Sequence, residues 1–191
     1  MRIIGGSSAG LILKVPAGYD VRPTPDLVRQ AIFNSLGERV VGTRVLELFG
    51  GTGALSLECL SRGAAHAVCV ELSRRHARFI ELNFAATGLA SSSFHLRLQD
   101  VFTALAQLAG EKSAFDLILA DPPFGEKNTG RRSTSLSQKL LDNEHLPKLL
   151  TPDGLFVLGH THRDQLTIAE PWQEVKAMRH GDSVMKFLRR S

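Results

Sequence analysis

The chain has 191 residues and a mass of 20.8 kDa, 43% hydrophobic and 22% charged, enough to enclose one substantial core and too little for two. Lys+Arg 23 against Asp+Glu 19 gives a net charge of +4 and a pI near 9.4, a balance compatible with a polyanionic partner and equally common without one. No apolar run approaches the ~20 residues that span a bilayer, and the opening "MRIIGGSSAG" lacks the long apolar core of a secretion signal, so a cytoplasmic protein without a membrane partner is expected.

In chain order, "RIIGG", the turn "SSAG" and "LILKVP" predict an N-terminal hairpin. "RPTPDLVRQAIFNSLG" supplies Thr24 as N-cap, Pro25 at the first helical position and Gly37 as terminator, with Leu27, Ala31 and Leu36 near the core face beside Val28 and Ile32. From residue 44 short apolar runs alternate with helix-length segments: strand "RVLELF", a helix over 53–62, strand "AVCVEL", a helix over 74–86, strand "FHLRL", a helix over 101–109 and strand "FDLILAD". This succession predicts an α/β fold whose largely parallel sheet is covered on both faces. A helix over 135–150, the strand "GLFVLGH" and a closing hairpin of "WQEVKAM" and "SVMKFLRR" about "RHGD" complete the chain.

Cys59 and Cys69 lie among apolar neighbours and are too few for a disulfide framework or a thiolate metal site. His160 and His162 stand two apart without a third ligand, so no metal is expected. Trp172 and Tyr19 read as packing aromatics, and His76 and Asn83 as solvent-facing or structural.

The chemistry concentrates where strands turn into helices. In "VLELFGGTGALSLECLSRGA", Gly50, Gly51 and Gly53 let the backbone turn tightly and approach a ligand, and the helix that follows offers its first N–H groups. Ser56 occupies the third glycine position of a dinucleotide fingerprint, which weakens a nicotinamide reading. Glu47 puts an acid beside the same crevice and suits a cationic ligand end. Glu71 closes the next strand about 20 residues on, where a carboxylate accepts both hydroxyls of a ribose. Asp100 closes the third strand, placed either to reach an adenine amino group or to cap the helix after it. Together these describe a site for adenosine with a zwitterionic, positively charged tail, and S-adenosylmethionine fits.

"LILADPPFGE" then runs a buried strand into an acid and two prolines. An exocyclic amine on a purine is a poor nucleophile because its lone pair is delocalised. Asp121 and the Pro122 carbonyl can accept its two hydrogens and favour the pyramidal nitrogen of the transition state. Pro122 and Pro123 restrict φ, and Phe124 can stack on the base. Arg2, Lys14, Arg22, Arg29, Lys127, Arg131 and Arg132 are candidate phosphate contacts.

The combination "LELFGGTGALSLECLSRGA", "VEL", "QDVF" and "DPPF" resembles the class I methyltransferases that act on exocyclic amines of nucleic-acid bases. "RIIGG", "RPTPDLVRQAIFNSL" and "HGDSVMKFL" resemble more narrowly the RsmD family, bacterial 16S ribosomal RNA guanine-N2 methyltransferases. That resemblance implies a Rossmann-like three-layer sandwich with a seven-stranded, mostly parallel sheet of order 3-2-1-4-5-7-6. Residues 1–23 would be a hairpin extension and 24–191 the S-adenosylmethionine-dependent domain. It implies that Gly50, Gly51 and Gly53 line the methionine side, Glu71 holds the ribose, Asp100 with Val101 contacts adenine, and Asp121 to Phe124 hold the target base. Glu47, Phe49, Leu72 and Asp121 complete the expected cofactor-binding set; Arg22, Pro123, Phe124, Lys127, Arg131 and Arg132 form the expected substrate-binding set. The implied donor is S-adenosylmethionine, leaving S-adenosylhomocysteine. The implied partner is 16S ribosomal RNA in a partly or fully assembled small subunit, bound by a monomer. Gly50 stands where the family often has Ala, a benign swap; "SSAG" replaces a basic and aromatic pair, and Gly159 or His160 stands where a Glu is frequent. An adenine-N6 methyltransferase of RNA or DNA and a non-catalytic ribosome-assembly protein are the competing readings.

Overall fold

The computed structural model describes residues 1–16, 24–123 and 132–191. Helix α1 (Asp26–Leu36) starts after Pro25, which is itself the N-cap with extended ψ of 148° and no side-chain cap bond. The helix therefore starts one residue later than Thr24 as a cap would place it, because the ring fixes φ but leaves ψ free to stay non-helical. The buried residues of α1 are Val28, Arg29, Ile32, Phe33 and Leu36, while Leu27 is 64% exposed. Leu27 lies about 100° round the helix from Val28 and falls off the core stripe, contrary to its predicted place.

Strands β1 (Arg44–Leu48), β2 (His66–Glu71) and β3 (Phe94–Leu98) alternate with α2 (Ala54–Ser61) and α3 (Arg74–Thr87). β1 pairs in parallel with β2, and β2 with β3. Val45, Leu46, Leu48, Ala67, Cys69 and Val70 are completely buried, as strands covered on both faces must be. Both cysteines are buried and unpaired.

Helix α2 is buried at every position, and a helix with no exposed face needs cover on more than one side. The N-terminal hairpin supplies it: Ile3 and Leu13 form a buried cluster with Ala54 and Leu57, and Met1, Leu11 and Phe84 pack against it. The predicted hairpin is present as a short ribbon with one bridge, Arg2 to Ile12. Ile3 N donates to Leu11 O at 2.9 Å and Leu13 N to Met1 O at 3.1 Å.

Glu58, inside α2, fastens that ribbon by accepting from Ile4 N and Gly5 N, each at 2.8 Å. Arg29 is fully buried beside it, donating through Nη2 to Arg2 O at 2.5 Å and Asp26 Oδ1 at 2.7 Å, with Nη1 3.9 Å from Glu58 Oε2. Arg29 is thus a core cation bracing the hairpin and has no surface to offer a phosphate, which corrects the reading from charge alone.

The described residues form two compact units, Met1–Ala104 and Leu105–Ser191, divided inside α4 (Val101–Gly110). The second holds β4 (Phe115–Ala120), α5 (Leu136–Leu141), β5 (Leu150–Thr161), β6 (Trp172–His180) and β7 (Ser183–Arg190). β4 runs parallel to β5, while β7 is antiparallel to both β5 and β6. The helix predicted over 135–150 is broken: Asn143 Oδ1 accepts from His145 N and Leu146 N, at 3.0 Å each, and Pro147 then opens a 3-10 turn. An Asn that bonds the backbone two and three residues on competes with helix continuation. Trp172 packs as expected, its ring 5.2 Å from Phe156 and its Nε1 donating to Leu141 O at 3.1 Å. The seven strands stand in the order β3-β2-β1-β4-β5-β7-β6, the order the resemblance implied.

Glu58→Ala should lower stability by about 2–3 kcal/mol, since it leaves the Ile4 and Gly5 amides of the hairpin without an acceptor. Arg62, whose Nε also reaches Glu58 at 2.8 Å but whose side chain is 24% exposed, should cost far less when changed to Ala. Urea unfolding of both variants checks the ranking.

Candidate active site

The turn after β1 alternates in hand. Phe49, Gly51 and Gly53 all have positive φ, at 61°, 57° and 74°. Left-handed backbone is free for glycine but costs a residue with a Cβ about 1–2 kcal/mol, so Phe49 holds strain where the strand opens into the turn. The amides of the three glycines in this turn are all taken by protein acceptors, Gly51 N by Glu71 Oε2 at 2.8 Å. Gly50 N donates to Val70 O at 2.9 Å, and Gly53 N to Gly50 O at 2.7 Å. A Cβ at Gly50 would run into Cys69 Sγ, with Ile80 Cδ1 at 3.1 Å. The Ala-for-Gly difference is therefore not benign in this chain: Cys69 fills the space an alanine would need.

Three acids border this turn, and each has a partner. Glu47 is 2% exposed; its oxygens accept from Leu55 N at 3.3 Å and Ser56 N at 3.0 Å, with Cys69 Sγ at 3.4 Å. It satisfies first-turn amides of α2 that have no intrahelical acceptor, so it shapes the turn from beneath. Burial pushes its carboxyl up to about 7, against the downward pull of the Ser56, Cys69 and Leu55 hydrogen bonds.

Glu71 Oε2 accepts from Gly51 N at 2.8 Å and Oε1 from Ser73 N at 2.7 Å, with His76 Nδ1 3.5 Å away. One carboxylate thus ties the glycine turn to the start of α3. A carboxylate has about four acceptor sites, so two hydroxyls can still be received. Asp100 is exposed, and its Oδ1 accepts from Thr103 N at 3.0 Å and Thr103 Oγ1 at 3.3 Å. It caps α4, the alternative already open in the sequence. Val101 beside it is buried, while Leu72 is 67% exposed.

In the second unit, Asp121 follows β4 directly and is half-buried, Pro122 is buried and Pro123 exposed. Any Cβ at Gly159 in β5 would collide with the Asp121 carboxylate. Gly159 is therefore the residue that makes room for the acid, a role the sequence reading, which noted it only as a departure from the family pattern, did not assign. Its signal was a glycine inside an apolar strand, which marks a close approach. Ser137 Oγ donates to Gly159 O at 2.9 Å and fixes that backbone. Arg132 donates to Asp142 Oδ1 at 2.6 Å, so its guanidinium is engaged by a carboxylate. Tyr19, Arg22, Phe124, Lys127 and Arg131 lie outside the described residues.

His160 is 6% exposed with Nδ1 3.1 Å from Asp164 O; burial lowers its pKa, and the Lys186 charge lowers it further. Among the described residues no cluster of three or more His, Cys, Asp or Glu could hold a metal ion, and no helix is long and apolar enough to cross a membrane.

A glycine turn after β1, acids ending β2 and β3 and this strand order together define a class I methyltransferase fold. The chain belongs to the family described as conserved hypothetical protein 95, which matches residues 1–189. It is 36% identical over 124 residues to "Ribosomal RNA small subunit methyltransferase D" of Escherichia coli (strain K12), covering 65% of this chain and 60% of that one. To the Haemophilus influenzae protein of the same name it is 30% identical over 176 residues, 92% of this chain and 86% of the other. The solved structure of a hypothetical protein from Thermus thermophilus superposes with a TM-score of 0.79 at 28% identity, covering 98% of each chain.

Because the Glu47 carboxyl is raised when folded, its contribution to stability is full below pH 4.5 and is lost as pH rises to about 7. The loss is about 3 kcal/mol. Glu47→Gln should remove that slope, and urea unfolding of both proteins between pH 5 and 8 measures it.

Proposed function

We propose that the protein transfers a methyl group from S-adenosylmethionine to the exocyclic N2 amine of a guanine in 16S ribosomal RNA. The observation that carries the reading is the Asp121-Pro122-Pro123 segment that follows β4, with Gly159 clearing space for the carboxylate. The small-subunit methyltransferase names of the two relatives support the choice of RNA.

The donor side fits this chain. Gly51 and Gly53 bring bare backbone to the ligand, and Glu71 sits where a ribose diol needs an acceptor. The donor supplies an activated methyl on a sulfonium, so the protein need mainly align and polarise. Asp121 and the Pro122 carbonyl accept from the amine, and Phe124 stacks on the base. The amine becomes acidic only as the new bond forms, so an ordinary carboxylate or water takes the proton late. Arg22, Pro123, Lys127, Arg131 and Arg132 complete the proposed RNA contacts. The enzyme acts in the cytoplasm, as a monomer, on a partly or fully assembled small subunit, with residues 1–23 as an extension to the catalytic domain.

Small subunits lacking the modification, incubated with labelled donor and digested to nucleosides, should yield N2-methylguanosine by mass spectrometry. N6-methyladenosine alone would overturn the guanine assignment, and no transfer at all would leave the assembly-protein reading. Asp121→Ala should cut single-turnover methylation by about 100-fold or more with donor affinity unchanged, since that contact strengthens only in the transition state. Gly159→Ala, which crowds the same carboxylate, should lose turnover in the same direction.

A further inference from the structure

Asn83 lies on α3 and is 1% exposed. Its Oδ1 accepts from Lys14 N at 2.7 Å, and its Nδ2 donates to Lys14 O at 3.0 Å. That pair completes both backbone valences of one residue in the hairpin's second arm, next to the last Leu13–Met1 bond of the ribbon. The same Nδ2 also donates to Thr52 O at 3.0 Å, and Thr52 is the residue between Gly51 and Gly53. A single buried carboxamide therefore clamps the hairpin and the proposed donor turn at once. Met1 touches the turn as well, its Sδ 3.5 Å from Thr52 Oγ1.

The chemistry restricts the position to Asn. Asp would lose both donors and face two carbonyls with a buried charge, Leu would strand three polar groups, and Gln is one methylene too long for the same bidentate geometry. Neither motif needs this residue for its own local shape: the turn has its glycines, and the hairpin tip has Glu58 and Ser61. Ser61 Oγ donates to Gly5 O at 2.6 Å and accepts from Ser8 N at 2.9 Å.

We infer that Asn83 is a positioning residue that couples the N-terminal hairpin to the donor turn, so that occupation of the turn firms the hairpin and a loosened hairpin weakens donor binding. The inference rests on the proposed assignment of that turn to the donor. Coupling of this kind is reciprocal.

The test uses S-adenosylhomocysteine with the full chain. In the unaltered protein, saturating ligand should slow hydrogen exchange at the Ile3, Leu13 and Lys14 amides, although none of them belongs to the turn. Asn83→Ala should weaken binding by about tenfold and abolish that distant protection. Ser61→Ala, which loosens the hairpin tip without touching Asn83 or Thr52, should weaken binding by a smaller factor, and it decides the matter if Asn83→Ala fails to fold. Ligand that binds the unaltered protein yet leaves hairpin exchange unchanged would overturn the coupling. An unaltered protein that does not bind the ligand would overturn the donor assignment itself.

Discussion

Everything around the proposed donor site follows from the burial of α2 on all sides. "ALSLECLS" has no solvent face to give, so β1 and β2 alone cannot satisfy it, and the first sixteen residues are recruited as a lid of Ile3 and Leu13 over Ala54 and Leu57. The hairpin thereby contributes Ile3 and Leu13 to a buried cluster with α2. The polar cost of that burial is met inside the helix itself, by Glu58, whose carboxylate is completely buried and takes two hairpin amides.

Three buried glutamates share one task. Glu47 receives the first-turn amides of α2, Glu58 the amides of the hairpin, and Glu71 the amides of Gly51 and Ser73. One carboxyl group offers acceptor sites for more than one amide, and backbone amides in a turn cannot find partners in a ladder. Placing acids beneath and beside the glycine turn fixes in advance a conformation that includes strained Phe49. Preorganisation of this kind keeps binding from having to order the loop.

The base-holding half obeys a different constraint. Asp121 is placed by two prolines on one side and by the absence of a side chain at Gly159 on the other. A strand glycine ordinarily weakens a sheet. Here it lies within a twelve-residue strand paired to β4 on one side and β7 on the other, which holds the backbone in place while the missing Cβ admits the carboxylate.

Sequence alone determined the order and period of the elements, because short apolar runs and helix-length segments differ in repeat and because glycine and proline interrupt them where the chain turns. It also marked Glu71, Asp100 and Asp121, since acids that end apolar strands stand out against their neighbours. Leu27 and the helix over 135–150 were misjudged for local reasons, one residue of helical phase and one Asn that bonds its own backbone. Only tertiary structure decided the rest. Arg29 reads as a surface cation until Glu58 and Arg2 O surround it, Glu47 reads as a ligand acid until α2's amides claim it, and Asn83 has no meaning in sequence because Lys14 and Thr52 are far from it along the chain. Hydrogen-bond partners are set by proximity in space, and no periodicity in a single sequence encodes that.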